Sequence, residues 1–209
     1  MPNTMGILGK KVGMTRVYNE IGAVIPVTVI EAGPCKVIQV KSQAKEGYNA
    51  IQVGFGEKKA SRVNKPIAGH CKKADVDGFY HIREFRIENP EKFQAGQEVT
   101  LEQLFKTGDV IDVQGISKGK GFQGVVRRYG FRGGCTTHGS NFHRAPGSIG
   151  CSAWPSRVVL GKKMPGRMGN DTVLKKNVLV IDVRGDENLI LVKGSVPGAK
   201  QGLLKLFSK

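Results

Sequence analysis

The chain has 209 residues, enough for one large domain or for a domain with a sizeable insertion. Apolar residues make up 39% of it, which excludes a chain that is disordered throughout. Its 33 lysines and arginines against 17 acidic residues leave a net charge of +16, so we expect a polyanionic partner. The sequence has no apolar run of about 18 residues, no signal core at its first residues and no lipidation motif. We therefore expect a soluble, unexported protein that binds nucleic acid rather than a membrane.

Seven short runs rich in valine and isoleucine predict β-strands, with glycine, asparagine or proline between them. They are residues 24–30, 36–40, 50–53, 81–85, 110–113, 178–183 and 189–192. Helical periodicity is scarce, and we expect only short helices within 57–75 and near 101–106. The pattern predicts a mainly β protein built on an antiparallel barrel or sandwich.

The four cysteines, at positions 35, 71, 135 and 151, include no Cys-x-x-Cys pair. This spacing argues against a redox motif and against a disulfide-stapled secreted scaffold. We interpret them as free thiols in a reducing compartment.

Residues 113–170 contain no aspartate or glutamate, and they separate two of the predicted strands. Thirteen of the 29 glycines lie here, a density that predicts an irregular, extended loop rather than a helix or sheet. We expect residues 1–112 and 171–209 to form the barrel and residues 113–170 to be a loop inserted into it. A loop this long indicates a function or a partner that orders it, and RNA fits the charge. Its ten basic residues are Lys118, Lys120, Arg127, Arg128, Arg132, Arg144, Arg157, Lys162, Lys163 and Arg167.

A Gly-x-Gly-x-x-Gly motif occupies residues 119–124. A dinucleotide site also requires a following helix and an acidic residue about 20 positions later, whereas the next acid is Asp171. The motif is better explained by glycines that expose backbone amides while Lys118 and Lys120 bind phosphates. No phosphate-binding loop of the nucleotide hydrolases is present.

Cys135, His138, His143 and Cys151 form a series of four possible zinc ligands. The last spacing is wider than in a zinc knuckle, and neighbouring lysines and arginines disfavour a dication, so we expect no metal and no cofactor. A Cys–His nucleophile pair lacks a carboxylate to orient the imidazole, which argues against an enzyme. We interpret His138 and His143 as donors to RNA phosphates or hydroxyls.

Aromatic residues of the loop are not enriched, but a ring on a charged loop has little core in which to be buried. Base stacking is the predicted use of Trp154. For Phe122, packing at the base of the loop is an equally good interpretation.

Several motifs, in order along almost the whole chain, resemble the bacterial family of large-subunit ribosomal protein three. They are residues 6–15 (GILGKKVGMT), 115–124 (GISKGKGFQG) with 127–128 (RR), 138–140 (HGS), 143–144 (HR), 146–150 (PGSIG), 161–166 (GKKMPG) and 191–198 (LVKGSVPG). The resemblance implies a barrel similar to the second domain of translation factors, with a loop that runs toward the peptidyl transferase centre. It also implies a cytoplasmic protein of the large subunit that binds ribosomal RNA near its 3′ end, contacts neighbouring ribosomal proteins and acts early in assembly. Lys10 and Lys11 are further expected RNA contacts.

Position 151 departs from the family pattern. Bacterial relatives usually have a glutamine there, often N-methylated, whereas this chain has Cys151, so we expect no modification at this position. Trp154 is similar in position to a tryptophan at the loop tip of archaeal and eukaryotic relatives. An RNA chaperone or regulator outside the ribosome is the alternative function, and a zinc-dependent or thiol enzyme ranks last.

Overall fold

The structure is a computed structural model that describes residues 5–209; the first four residues, which entered the signal-peptide interpretation, lie outside this range. The chain divides into two units, residues 5–116 with 172–209 and residues 117–171. The strands are β1 (Gly6–Tyr18), β2 (Val24–Ala32), β3 (Cys35–Lys41), β4 (Ala50–Glu57), β5 (Phe79–Arg86), β6 (Glu98–Val99), β7 (Val110–Ile116), β8 (Gly121–Gln123), β9 (Gly166–Met168), β10 (Thr172–Arg184), β11 (Leu189–Lys193) and β12 (Leu203–Phe207). The helices are α1 (Gln43–Glu46), α2 (Lys65–Lys72), α3 (Leu101–Leu104) and α4 (Val125–Tyr129), with single 3-10 turns at Ala60–Arg62 and Pro90–Lys92.

Six strands close into a barrel in the order β1, β12, β7, β10, β11, β2. Every neighbouring pair in this barrel is antiparallel. The prediction of a mainly β protein with an antiparallel barrel is therefore confirmed. The short helices expected within 57–75 and near 101–106 are also present, as α2 and α3.

A second sheet in the same unit has the order β5, β4, β3, β6. Three predicted runs, residues 36–40, 50–53 and 81–85, lie in this sheet and not in the barrel. The reason is that both edges of β2 are already paired, with β1 and β11, so the strand that follows has no free barrel edge to join.

The apolar core of this unit draws on both the barrel and the second sheet. Phe85 of β5 meets Phe207 of β12 edge to face, with ring centroids 5.4 Å apart and ring planes at 71°. Gly6 permits this contact, because a Cβ at its position would lie 2.5 Å from the Phe85 ring and 2.3 Å from the Leu206 carbonyl oxygen. Glycine in β1 is thus a packing requirement rather than a strand breaker.

The pairing of β7 with β10 ends at the boundary between the two units. Ile116, the last residue of β7, is opposite Thr172, the first residue of β10, and the second unit is the chain between them. The register shifts between Lys175 and Val178. Within this bulge Asn177 has a φ of 56°, and its backbone N–H donates to the buried Asp112 carboxylate at 2.9 Å. The acid therefore stabilises the irregular part of the β10 ladder. No helix among residues 5–209 is long and apolar enough to cross a bilayer.

The cysteines divide into a buried pair, Cys35 and Cys71, and an exposed pair, Cys135 and Cys151. Burial raises the pKa of Cys35 to about 12 and also raises the pKa of Cys71. Because the thiolate is the nucleophile, iodoacetamide at pH 8 should alkylate the exposed pair in the native protein and spare the buried pair. Peptide mass spectrometry measures this, with the guanidinium-unfolded chain as the control in which all four react. Alkylation of Cys35 as fast as Cys151 would contradict the packing described.

Candidate nucleic-acid interface

The two ends of residues 117–171 are hydrogen-bonded to each other. The backbone N–H of Ser117 donates to the Asp171 carbonyl at 2.9 Å, and the Asn170 N–H donates to the Ser117 carbonyl at 3.2 Å. The Ser117 hydroxyl accepts from the Asp171 N–H at 3.2 Å. Strands β8 and β9 then pair immediately inside these hydrogen-bonded ends. The unit therefore starts as a short two-stranded ladder, and residues 113–116 of the acid-free segment belong to β7.

Helix α4 follows β8 and ends at Tyr129, and Gly130 after it has the left-handed conformation, with a φ of 73°. Arg128 on this helix is half-buried, and its guanidinium donates to the Met164 carbonyl at 2.7 Å. The same guanidinium lies 5.0 Å from the Tyr129 ring centroid, and the Lys163 ammonium lies 5.7 Å from it. Arg128, a predicted RNA contact, thus uses one of its donors to hold the segment that leads into β9.

Residues 130–165, all of which the structure describes, form no helix or strand. Their conformation depends on local hydrogen bonds, such as the Gly134 N–H donating to the His143 carbonyl at 3.1 Å. Gly134 is required there, because a Cβ would lie 1.9 Å from the Phe142 carbonyl oxygen. His143 Nδ1 lies 3.1 Å from the Cys135 carbonyl, which only accepts, so Nδ1 carries the proton and Nε2 points elsewhere for a partner. His138 is exposed with a φ of 58°.

The basic residues of this unit are exposed, apart from Arg128. They are Lys118, Lys120, Arg127, Arg132, Arg144, Arg157, Lys162, Lys163 and Arg167. All four ion pairs formed by residues 5–209 lie in the other unit, so no carboxylate neutralises these cations. Arg127 does donate to the Gln123 amide oxygen at 3.3 Å. Nine unneutralised cations on one unit form an electrostatic footprint for a polyanion.

Two aromatic side chains of the unit are unusually exposed for their size, Trp154 at 84% and Phe122 at 76%. Phe122 therefore does not pack into an apolar core at the base of the loop, which was one of the two interpretations of its role. Two other rings of the unit, Tyr129 and Phe131, contact each other, with centroids 6.3 Å apart. The exposed rings are available for stacking on unpaired bases.

Lys11 is the predicted RNA contact that the structure argues against. It shares one face of β1 with Ile7, and it is only 8% exposed. Its ammonium donates to the carbonyls of Val196 at 3.1 Å and Gly198 at 3.4 Å. A buried ammonium that satisfies backbone carbonyls is a structural element of the barrel, so we omit Lys11 from the interface. Lys10, on the opposite face, reaches the surface.

No group of three or more histidine, cysteine, aspartate or glutamate side chains in residues 5–209 is arranged to hold a metal ion. Cys135 and Cys151, the thiols of the weighed zinc series, are both exposed. The barrel unit also carries basic residues that sequence analysis did not predict as contacts, Arg83 and Lys205, and Arg83 lies close enough to lower the pKa of His81 and that of Lys205. No sequence signal identifies them, because the pairing of distant strands brings them together.

Known proteins similar to this chain decide the family. The family model described as Ribosomal protein L3 matches residues 81–188. Large ribosomal subunit protein uL3 of Desulfotalea psychrophila is 66% identical over 209 residues, which are 100% of both chains. The chain belongs to the ribosomal protein L3 family. Proteins of the same name from Syntrophotalea carbinolica, at 57% over 96% of both chains, and Desulforapulum autotrophicum, at 52% over 96% of this chain and 97% of its own, agree.

Membership in the ribosomal protein L3 family confirms the resemblance inferred from the motifs. The family is a structural component of the ribosome and not an enzyme, which is also what the missing catalytic groups predicted. The matched range includes the whole of residues 117–171, so the basic unit is part of the family pattern.

The burial of Lys11 makes a specific stability prediction. Replacing Lys11 with alanine leaves the buried carbonyl of Val196 and the partly buried carbonyl of Gly198 without this donor, so the free energy of unfolding should fall by about 1–3 kcal/mol. Lys10→Ala, one residue away on the opposite face, is the matched control and should change it by no more than about 0.5 kcal/mol. Urea denaturation followed by circular dichroism measures both. Equal effects of the two substitutions would show that Lys11 is not the structural lysine of the pair.

Proposed function

We propose that this protein is a structural constituent of the large ribosomal subunit that binds large-subunit ribosomal RNA directly through residues 117–171. The proposal is supported chiefly by nine exposed cations of this unit, none of which forms an ion pair with a carboxylate of residues 5–209. RNA phosphates supply the missing negative charge, and release of their condensed counterions drives association.

The local chemistry of the unit suits RNA more than a protein surface. Glycines in and around β8 leave backbone N–H groups accessible to phosphate oxygens, and Lys118 and Lys120 flank Gly119 in this stretch. Trp154 and Phe122 add exposed rings for stacking. His143 Nδ1 is occupied by the Cys135 carbonyl, so Nε2 is the ring nitrogen left to contact a ribose 2′-hydroxyl, the group that distinguishes RNA from DNA.

The finer parts of the function rest on the family resemblance. They are binding near the 3′ end of the RNA, action early in subunit assembly, a position close to the peptidyl transferase centre, contacts with neighbouring ribosomal proteins and a cytoplasmic location on the large subunit. Cys151 adds a point specific to this chain: a thiol has no amide nitrogen, so the N-methylation of the usual glutamine has no counterpart here.

Charge variants test the RNA-binding role of the basic unit. The triple variant Lys118→Gln, Lys120→Gln, Arg167→Gln removes three exposed cations near β8 and β9. The slope of log affinity against log salt for large-subunit ribosomal RNA should become shallower by about 2–3, because each phosphate contact contributes about 0.7–0.9. Filter binding or fluorescence anisotropy over a salt series measures it.

The matched control removes the same charge from the other unit, in the triple variant Lys65→Gln, Lys72→Gln, Lys92→Gln, whose lysines are also exposed. Its slope should change much less. If the two triple variants weaken binding equally, net charge rather than the basic unit determines affinity, and the proposal fails.

A deletion tests whether the unit is needed for incorporation. Because Ser117 and Asp171 are hydrogen-bonded, residues 118–170 can be replaced by a short glycine–serine linker that keeps the β7–β10 ladder closed. The variant should stay soluble and folded by circular dichroism but be absent from large subunits after a high-salt sucrose gradient. Stoichiometric incorporation of the deletion variant would overturn the proposal.

A further inference from the structure

A cleft in the barrel unit is lined by residues of the barrel strands and of the second sheet. It has a volume of about 340 Å³, within the range of about 300–1,000 Å³ typical of small-ligand pockets. Its lining comes from five separate stretches of the chain, represented by Lys10 of β1, Glu31 of β2, Phe55 of β4, His81 of β5 and Leu203 of β12. Strand pairing assembles it, since Lys10 is opposite Leu203 and Phe55 is opposite His81.

An exposed aromatic residue lines this cleft. Tyr80 is 54% exposed, although a tyrosine next to an apolar floor usually buries its ring. The Lys58 ammonium lies 5.5 Å from the centroid of this ring. The cleft therefore combines a stacking surface with a cation beside it, which is the pairing of groups that binds a base and its phosphate.

Two cations, Lys10 and Arg83, lie near His81, which lines the cleft. Burial lowers the pKa of His81, and the guanidinium of Arg83 and the ammonium of Lys10 lower it further. Burial also lowers the pKa of Lys205, with Arg83 again contributing and Glu84 opposing. Cations that repel one another in the free protein are stabilised when an anion enters.

Lys10 remains available to such an anion. It is directly opposite Glu31 across the β1–β2 pair, and Glu31 also lines the cleft, yet the two form none of the ion pairs found among residues 5–209. A carboxylate and an ammonium that lie close without pairing can serve different parts of one ligand. A glutamate carboxylate such as that of Glu31 can accept hydrogen bonds from a base edge or a ribose hydroxyl, and an ammonium such as that of Lys10 can bind phosphate.

We propose that this cleft binds a single unpaired nucleotide of RNA, with its base on Tyr80, its phosphate at Lys10 and its hydrogen-bonding edge toward Glu31. The inference rests on the proposed RNA-binding function and extends it to a second contact, on the barrel unit. Residues 117–171 neutralise phosphates without requiring a particular RNA conformation, whereas this cleft requires a nucleotide that is out of its stack.

The test uses the full-length chain and an in vitro transcript of bacterial large-subunit ribosomal RNA. Tyr80→Leu should weaken binding roughly five-fold or more, the effect of losing one base stack, and leave the salt slope unchanged. Lys10→Gln should make the salt slope shallower by about one. The matched controls are Tyr18→Leu, a tyrosine that is 59% exposed outside the cleft, and Lys45→Gln on α1; each should change affinity by no more than about two-fold.

Ultraviolet crosslinking of the same complex should give a nucleotide adduct on the peptide that contains Tyr80, and a short single-stranded oligoribonucleotide should compete for it better than a duplex. Cleft variants that behave like their controls would overturn the inference. If the triple variant of the basic unit still weakens binding in that case, the proposed function stands and only the cleft proposal fails. If that triple variant also has no effect, both fail. Better competition by the duplex would likewise overturn the nucleotide proposal.

Discussion

The antiparallel pairing of β7 with β10 is the interaction on which both units depend. Each strand also has a second barrel neighbour, β12 for β7 and β11 for β10, so losing this pair would open the barrel. The same pair fixes Ile116 opposite Thr172, which holds together the two ends of the basic unit. Closing a long insertion costs little more than closing a short one, about 0.6 kcal/mol for each doubling of length, so a stable ladder can support 55 residues between its strands.

The distribution of charge follows a different requirement from the fold. Residues 117–171 contain ten basic residues and one acid, Asp171, whereas the rest of the chain has 23 basic and 16 acidic residues. Ion pairs form only where acids are available, as between Lys41 and Glu84 at 2.6 Å on the second sheet. The basic unit lacks such ion pairs, and its glycines lower the stability of its folded backbone because glycine loses more conformational entropy on folding. Both losses are disadvantages for the free protein, and in the proposed function RNA phosphates offset them.

The parts of the fold that sequence patterns predicted were those with a local signal. Valine- and isoleucine-rich runs showed seven strands, and the absence of acids located the basic segment. Strand β1 was not predicted because its glycines, Gly6, Gly9 and Gly13, resemble turn residues. The requirement for Gly6 is set by Phe85, a residue far away in sequence that packs on it. Strand β12 was missed because its residues, Leu-Leu-Lys-Leu-Phe, include no valine or isoleucine, and only its pairing with β1 and β7 shows it to be a strand.

The candidate site shows the same division between local and distant information. The nine exposed cations of residues 117–171 were predicted from composition alone, because a segment with no acids and many glycines has neither carboxylates to pair with its cations nor a core to bury them. The cleft on the barrel unit was not predicted. Lys10 was the one member identified from sequence, and Tyr80 and His81 join it only through the register of β4 with β5 and the packing of that sheet on β1.

Lys10 and Lys11 show why neighbouring basic residues have different fates in the two units. In a strand, successive side chains point to opposite faces, so a ladder that exposes Lys10 necessarily turns Lys11 toward the carbonyls of Val196 and Gly198. Lys162 and Lys163 follow no ladder, and both are exposed. A run of cations therefore predicts RNA contacts at every position only where the backbone is irregular. Within a barrel strand it predicts alternate contacts, and the residues between them belong to the fold.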